Sequence, residues 1–118
     1  MANPARTFED LVVWQKAHAM VLSIYRVSSQ FPKEEIFGLT SQIRRAAVSV
    51  TSNIVEGFNR NGIADKLKFY NYSDASLEET RYQLVLAKDL GFADTADQQN
   101  MAKEVRRILS AYVASIKA

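Results

Sequence analysis

Apolar residues recur along this chain at steps of three and four, a rhythm that predicts four long helices. The first carries Val13, Trp14, Ala17, Met20, Val21, Ile24 and Val27 on one side. It opens after Phe8-Glu9-Asp10, with Asp10 placed to cap it, and stops at Phe31-Pro32, because proline disfavours helical geometry in the residue before it. Pro32-Lys33-Glu34-Glu35 then begins a second helix with carboxylates in the first turn, where the helix dipole favours them. Its stripe is Ile36, Leu39, Ile43, Ala46, Val50, Ile54 and Gly57. The Val, Thr, Ser and Ile crowded between Ala47 and Val55 also suit a strand. The helical period nevertheless runs straight through them, and a single strand would find no partner elsewhere in the chain.

Asn61-Gly62 ends the second segment, and the third runs from near Ala64 to Leu90 with Gly91 as its stop. Thr95 with Gln98 three residues on fits a capping box for the fourth, whose stripe is Met101, Val105, Ile108, Leu109, Tyr112 and Ile116. The helices are thus expected over roughly 10–30, 34–60, 64–90 and 95–117. Short connections between long amphipathic helices make neighbours antiparallel, so the expected fold is an all-α, up-down-up-down four-helix bundle over 1–118. Trp14, Ile24, Ile43, Val50, Phe69, Leu86, Ile108 and Tyr112 are expected in its core.

Two helices carry more apolar residues than one core needs. The third has Phe69, Tyr72, Ala87 and Leu90 on the side assigned to the core, and Leu67, Tyr70, Leu77 and Leu84 nearly opposite. On the second, Phe37, Val48 and Val55 project away from the main stripe. Residues aligned in this way imply a second surface buried against another chain, and so a homo-oligomer.

At 118 residues the chain can enclose one core. Four glycines and two prolines are too few for the many turns of a sandwich or barrel. The absence of cysteine excludes disulfides and thiolate metal sites and suits a reducing cytoplasm. MANPARTFEDLVVW lacks the charged-then-apolar pattern of a secretory signal. No stretch approaches the roughly 18 apolar residues of a membrane span. A cytoplasmic protein with no membrane partner is expected. The net charge of +2 permits an anionic partner without requiring one.

Catalytic chemistry lacks an anchor, and neither an enzyme nor a bound cofactor or metal is expected. A di-iron bundle needs Glu-x-x-His pairs, but the single histidine, His18, has Gln15 at that spacing. His18 is placed on a different face from Trp14, without a partner for a nucleophilic triad. The isolated glycines form no phosphate loop. Adjacent carboxylates such as Glu34-Glu35 and Glu78-Glu79 point about 100° apart on a helix.

A polar line, Gln42, Arg45, Ser49, Asn53, Glu56 and Arg60, follows one flank of the second stripe. One reading makes Gln42, Asn53, Glu56, Glu78 and Glu79 a structural network that fixes helix register, with Arg44 or Arg45 paired to Glu78 or Glu79. The other has Arg44, Arg45, Arg60, Lys66 and Lys68 gripping the phosphates of RNA or DNA, helped by Lys103, Arg106 and Arg107 on the fourth helix. No major-groove reader or aromatic strand platform is present, so such binding would carry little sequence preference.

The strings FEDLVVWQKA, FPKEEIFGLTSQIRRAAVSV and NIVEGFNR, followed by SLEE and LAKDLGF, resemble the 23S rRNA-intervening-sequence protein family of small bacterial four-helix bundles. The resemblance covers about Phe8 to Phe92. It implies a bundle that assembles into a ring-like homopentamer and a kinship with the accessory protein of diversity-generating retroelements, which binds nucleic acid and a protein partner. It places weight on Trp14, Gln15, Lys16, Gln42, Arg44, Arg45, Asn53, Glu56, Gly57 and Arg60. Thr51 stands where many relatives carry proline, and Ala75 where many carry glycine, which puts a bend in the second helix and close packing at Ala75 in question. The expected function is that of a non-enzymatic homo-oligomeric accessory protein that binds RNA or DNA, with a protein-binding scaffold as the alternative.

Overall fold

A computed structural model describes residues 4–118, so the first three residues of the domain expected over 1–118 lie outside the described residues. These form α1 (Val12–Ser28), α2 (Leu39–Asn59), α3 (Ile63–Asp89) and α4 (Ala96–Lys117), with 3-10 turns at Phe8–Asp10 and Lys33–Glu35. No strand occurs among the described residues, and the run 47–55 lies inside α2. α1 packs on α2 and α4, and α3 packs on the same two helices. The links 60–62 and 90–95 are too short to carry the chain back along a helix. The 27 residues of α3 span about 40 Å, close to the full 46 Å length of the molecule, so consecutive helices run antiparallel.

The ends of the helices are fixed differently from the expectation. Asp10 accepts the backbone N–H groups of Arg6 at 2.9 Å and Thr7 at 3.0 Å, so it caps the 3-10 turn and not α1. α2 begins only at Leu39, because Lys33–Glu35 tightens into a 3-10 turn that leaves Ile36 57% exposed, outside the stripe. The Glu35 carboxylate folds back to accept the Leu39 N–H at 3.0 Å, and a Cβ on Gly38 would lie 2.8 Å from that oxygen. α3 stops as expected: Gly91, at φ +75°, lets Phe92 N–H reach Ala87 O and Gly91 N–H reach Lys88 O. The capping box at Thr95 does not form. Its buried hydroxyl donates to Leu84 O across the turn at 2.6 Å, the Asp94 carboxylate accepts the Ala96 N–H, and Gln98 donates to Ser23 on α1.

Ile24, Ile43 and Val50 are fully enclosed, and Trp14, Leu86, Ile108 and Tyr112 pack against the core while partly exposed. α3 is apolar on two sides, but the sides are the reverse of those expected. Tyr70, Leu77 and Leu84 are buried in the protomer together with Ala87, whereas Tyr72 and Leu90 are 45% and 54% exposed and Phe69 is half-buried. Tyr70 faces inward because α2 makes room for it. A methyl group at Gly57 would lie 2.8 Å from Cδ1 and 2.9 Å from Cζ of the Tyr70 ring. The phenol then meets the Tyr112 hydroxyl at 3.1 Å, the rings crossing at 70°. Burial, helped by that bond, pushes the Tyr70 phenol far above its ordinary value, so it stays a neutral hydrogen-bonding group.

The small residues along this seam bring α2 and α3 together. Ser73, fully buried, donates to Val50 O at 2.8 Å, and Ser49 and Ser76 join across the helices at 2.8 Å. Thr51 sits in an unbroken helix, its hydroxyl donating to Val48 O at 2.8 Å. Ala75 is exposed on the outward side of α3, so close packing there is not required within the protomer.

Candidate nucleic-acid interface

The five expected phosphate contacts do not form one patch. Arg44 and Arg45 lie near the start of α2 and Arg60 just past its end, about 22 Å further along the axis. Three of the five cations are engaged within the fold. Arg44 Nε donates to Ser28 Oγ at 2.8 Å and its Nη2 to Tyr25 O at 3.2 Å, while the guanidinium lies 4.7 Å from the Tyr25 ring centroid. It closes the C-terminal turn of α1, where carbonyls lack intrahelical donors. Lys66 does the same for α2, donating to Gly57 O at 3.2 Å and Phe58 O at 2.8 Å. Arg60 reaches Glu56 at 3.3 Å and Asp65 at 3.9 Å and covers the Phe69 ring at 4.6 Å.

The expected pairing of Arg44 or Arg45 with Glu78 or Glu79 does not occur. Glu78 instead joins Arg81 on its own helix, at 2.8 Å, to Arg106 on α4. Arg106 also approaches Asp74 at 3.9 Å. The Arg81 hydrogen bond, supplemented by Arg106 and only partly offset by desolvation, holds the Glu78 carboxyl below its ordinary range. Glu79 accepts a long bond from Gln83, and Asn53 donates to the Ser49 carbonyl and hydroxyl. The polar line is therefore a set of local ties, apart from Ser49, which also reaches Ser76 on α3. Gln42 takes part in none of them; it lines, with Arg45, Ser49 and Glu79, a shallow depression between α2 and α3.

Arg45 and Lys68 remain. Both are exposed, and no ion pair engages either among the described residues. Lys68 overhangs an open groove between α3 and α4 with an apolar floor of Leu67, Leu109 and Val113, flanked by Asp74 and Lys117. Arg45 borders an open hollow of about 650 Å³ on the outward side of α1 and α2, where Tyr25, Ser41, Arg44, Val48 and Ser52 also lie. Among the described residues no carboxylate lines it. Tyr25, Ser41 and Ser52 were not among the expected residues. The spacing of Ser41, Arg45, Val48 and Ser52 by four, three and four already placed them on one face.

His18 is stacked on Trp14, with ring centroids 4.7 Å apart and planes within 9°, and Phe8 meets Trp14 edge to face. Residues four apart on a helix share a face, so the expectation that His18 points away from Trp14 was wrong. Among the described residues no group of three His, Cys, Asp or Glu side chains is placed to hold a metal ion, and no helix is long and apolar enough to cross a membrane.

No curated protein matches the chain in sequence. A crystal structure of a protein of unknown function from the S23 ribosomal protein family of Bacteroides thetaiotaomicron superposes with a TM-score of 0.80 at 22% identity. That alignment covers 87% of this chain and 96% of the other, a likeness of fold. The profile of the 23S rRNA-intervening sequence proteins matches residues 9–113, nearly the whole bundle. The chain belongs to the 23S rRNA-intervening sequence protein family.

Proposed function

We propose that this protein is a non-enzymatic, self-assembling accessory protein of the cytoplasm that binds RNA or DNA through phosphate contacts with little sequence preference. The observation that carries the reading is the carboxylate-free hollow beside Arg45, where two guanidinium groups and several hydroxyls meet on an open surface. Guanidinium grips phosphate with two donors, and hydroxyls supply further bonds without adding repulsion. Self-assembly is supported by the outward side of α3, where Tyr72, Ala75, Tyr82 and Leu90 are exposed in helical succession. A ring-like homopentamer is the form the family resemblance implies. Symmetry would repeat each Arg45 around the assembly and strengthen a contact that is weak alone.

The test is fluorescence anisotropy of labelled RNA and DNA across a salt series. Binding should weaken steeply with salt, each neutralised phosphate contributing about 0.7 to 0.9 to the slope of log affinity against log salt. Arg45→Gln should weaken binding and make the slope shallower, whereas Lys66→Gln should chiefly lower stability. A protein scaffold is the second reading, favoured by Phe37, which stands 94% exposed at the turn before α2. It takes over if neither nucleic acid binds at low salt.

A further inference from the structure

The hollow on α1 and α2 holds more than positive charge. Arg44 is tied at two points, to Ser28 Oγ and to Tyr25 O, and its guanidinium carbon sits over the Tyr25 ring. A guanidinium pinned in this way has lost most of the freedom that a solvent-exposed arginine would give up on binding. Its bonds to the end of α1 occupy donors at Nε and Nη2, and its Cζ lies 4.7 Å from the Tyr25 ring centroid. Arg44 is itself only partly exposed, and it lines the hollow on which Arg45, Ser41 and Ser52 also border. Arg45 is exposed and outside any ion pair among the described residues, and is the cation of the two that is not tied to the fold.

We propose that this hollow is a binding site for single-stranded nucleic acid, in which an unpaired base stacks over Arg44 while Arg45 and the α2 serines hold the adjoining phosphate. The proposal rests on the phosphate-binding reading above and adds to it a preference for unpaired strands. A duplex buries the faces of its bases in its own stack and can offer this surface only phosphates. A single strand offers both, and base stacking on aromatic or guanidinium planes tolerates any sequence because every base has a flat face. Val48 supplies an apolar wall beside the two arginines. No bond is made or broken, and no cofactor is needed.

The experiment compares a short labelled oligoadenylate with its duplex, using the full chain and its Arg44→Lys and Arg45→Gln variants. Circular dichroism and oligomer mass are recorded for each. The unmodified protein should prefer the single strand by about tenfold, the scale of one stacked base. Arg44→Lys keeps the charge but loses the plane, so it should weaken single-strand binding more than duplex binding and erase that preference. Arg45→Gln should weaken both ligands together. Should Arg44→Lys prove too unstable to use, 2-aminopurine in the strand reports stacking on the unmodified protein directly, through quenching of its fluorescence on binding. Equal affinity for the two forms, an unchanged single-strand preference in Arg44→Lys, or no quenching overturns the stacking site and leaves the phosphate reading standing. Absence of any binding at low salt overturns both. If Tyr25→Ala lowers the oligomer mass, the hollow belongs to a contact between copies of the chain, which also overturns the proposal.

Discussion

Gly57 and Tyr70 are the pair on which the inner packing turns. Replacing glycine by alanine within a helix ordinarily stabilises by up to about 1 kcal/mol. Here the added methyl meets the Tyr70 ring at 2.8 Å, and overpacking of this kind costs about 1–3 kcal/mol. Gly57→Ala is therefore expected to lower stability in chemical denaturation, and a gain would show that the ring is free to move aside. Ile43, fully buried between the helices, sets the opposite case. Ile43→Ala opens a cavity and should cost roughly 2–5 kcal/mol, whereas a change within about 0.5 kcal/mol would place it outside the core. The residues hardest to read from sequence were the cations. Arg44 and Lys66 look like free surface charges, since their partners are the backbone carbonyls at the ends of α1 and α2. A sequence shows carboxylates but not where another helix ends. Arg60, with Glu56 four residues before it, was the legible one.

At the scale of elements, α3 shows what periodicity does and does not fix. The three-four rhythm located the helix and its two apolar sides, but not which side turns inward, because spacing carries no phase relative to the neighbouring helices. The intervening polar residues held the missing signal. Lys68 and Glu79 share the outward side with Tyr72 and Tyr82, while Tyr70, Leu77 and Leu84 alternate with the small, hydrogen-bonded Ser73 and Thr80. Leu77→Asp should accordingly unfold the protomer, whereas Tyr82→Glu should leave the helical circular dichroism intact and reduce the oligomer mass. The opposite pattern would reverse this assignment of faces. The tie between α3 and α4 has its own pH signature. Glu78 is held below its ordinary value of 4.5, so its contribution to stability is complete above that value and is lost as pH falls through the lowered folded value. Its side chain is 44% exposed, so screening keeps the contribution to about 1 kcal/mol or less. Glu78→Gln should then cost measurable stability at about pH 7 and progressively less on acidification below about pH 4. A cost that stays constant through that range would show the carboxylate charge to be irrelevant.

For the whole molecule, four helices, their antiparallel order and the stop at Gly91 were all legible, because each follows from a local rule of period or capping. Exposed surfaces leave a weaker trace in the sequence. Phe37, Tyr82 and Tyr72 are 94%, 64% and 45% exposed in the isolated protomer, and the hollow beside Arg45 faces outward from α1 and α2. If copies of the chain bury the outward side of α3 between them, the assembly would repeat the phosphate contacts proposed for α2. The most direct measurement is light scattering coupled to size exclusion on the unmodified protein at micromolar concentration. A single species several times the 13.3 kDa protomer mass, and five times it for the pentameric ring, is the result expected. A species of 13.3 kDa would contradict self-assembly and with it the multiplied phosphate contacts.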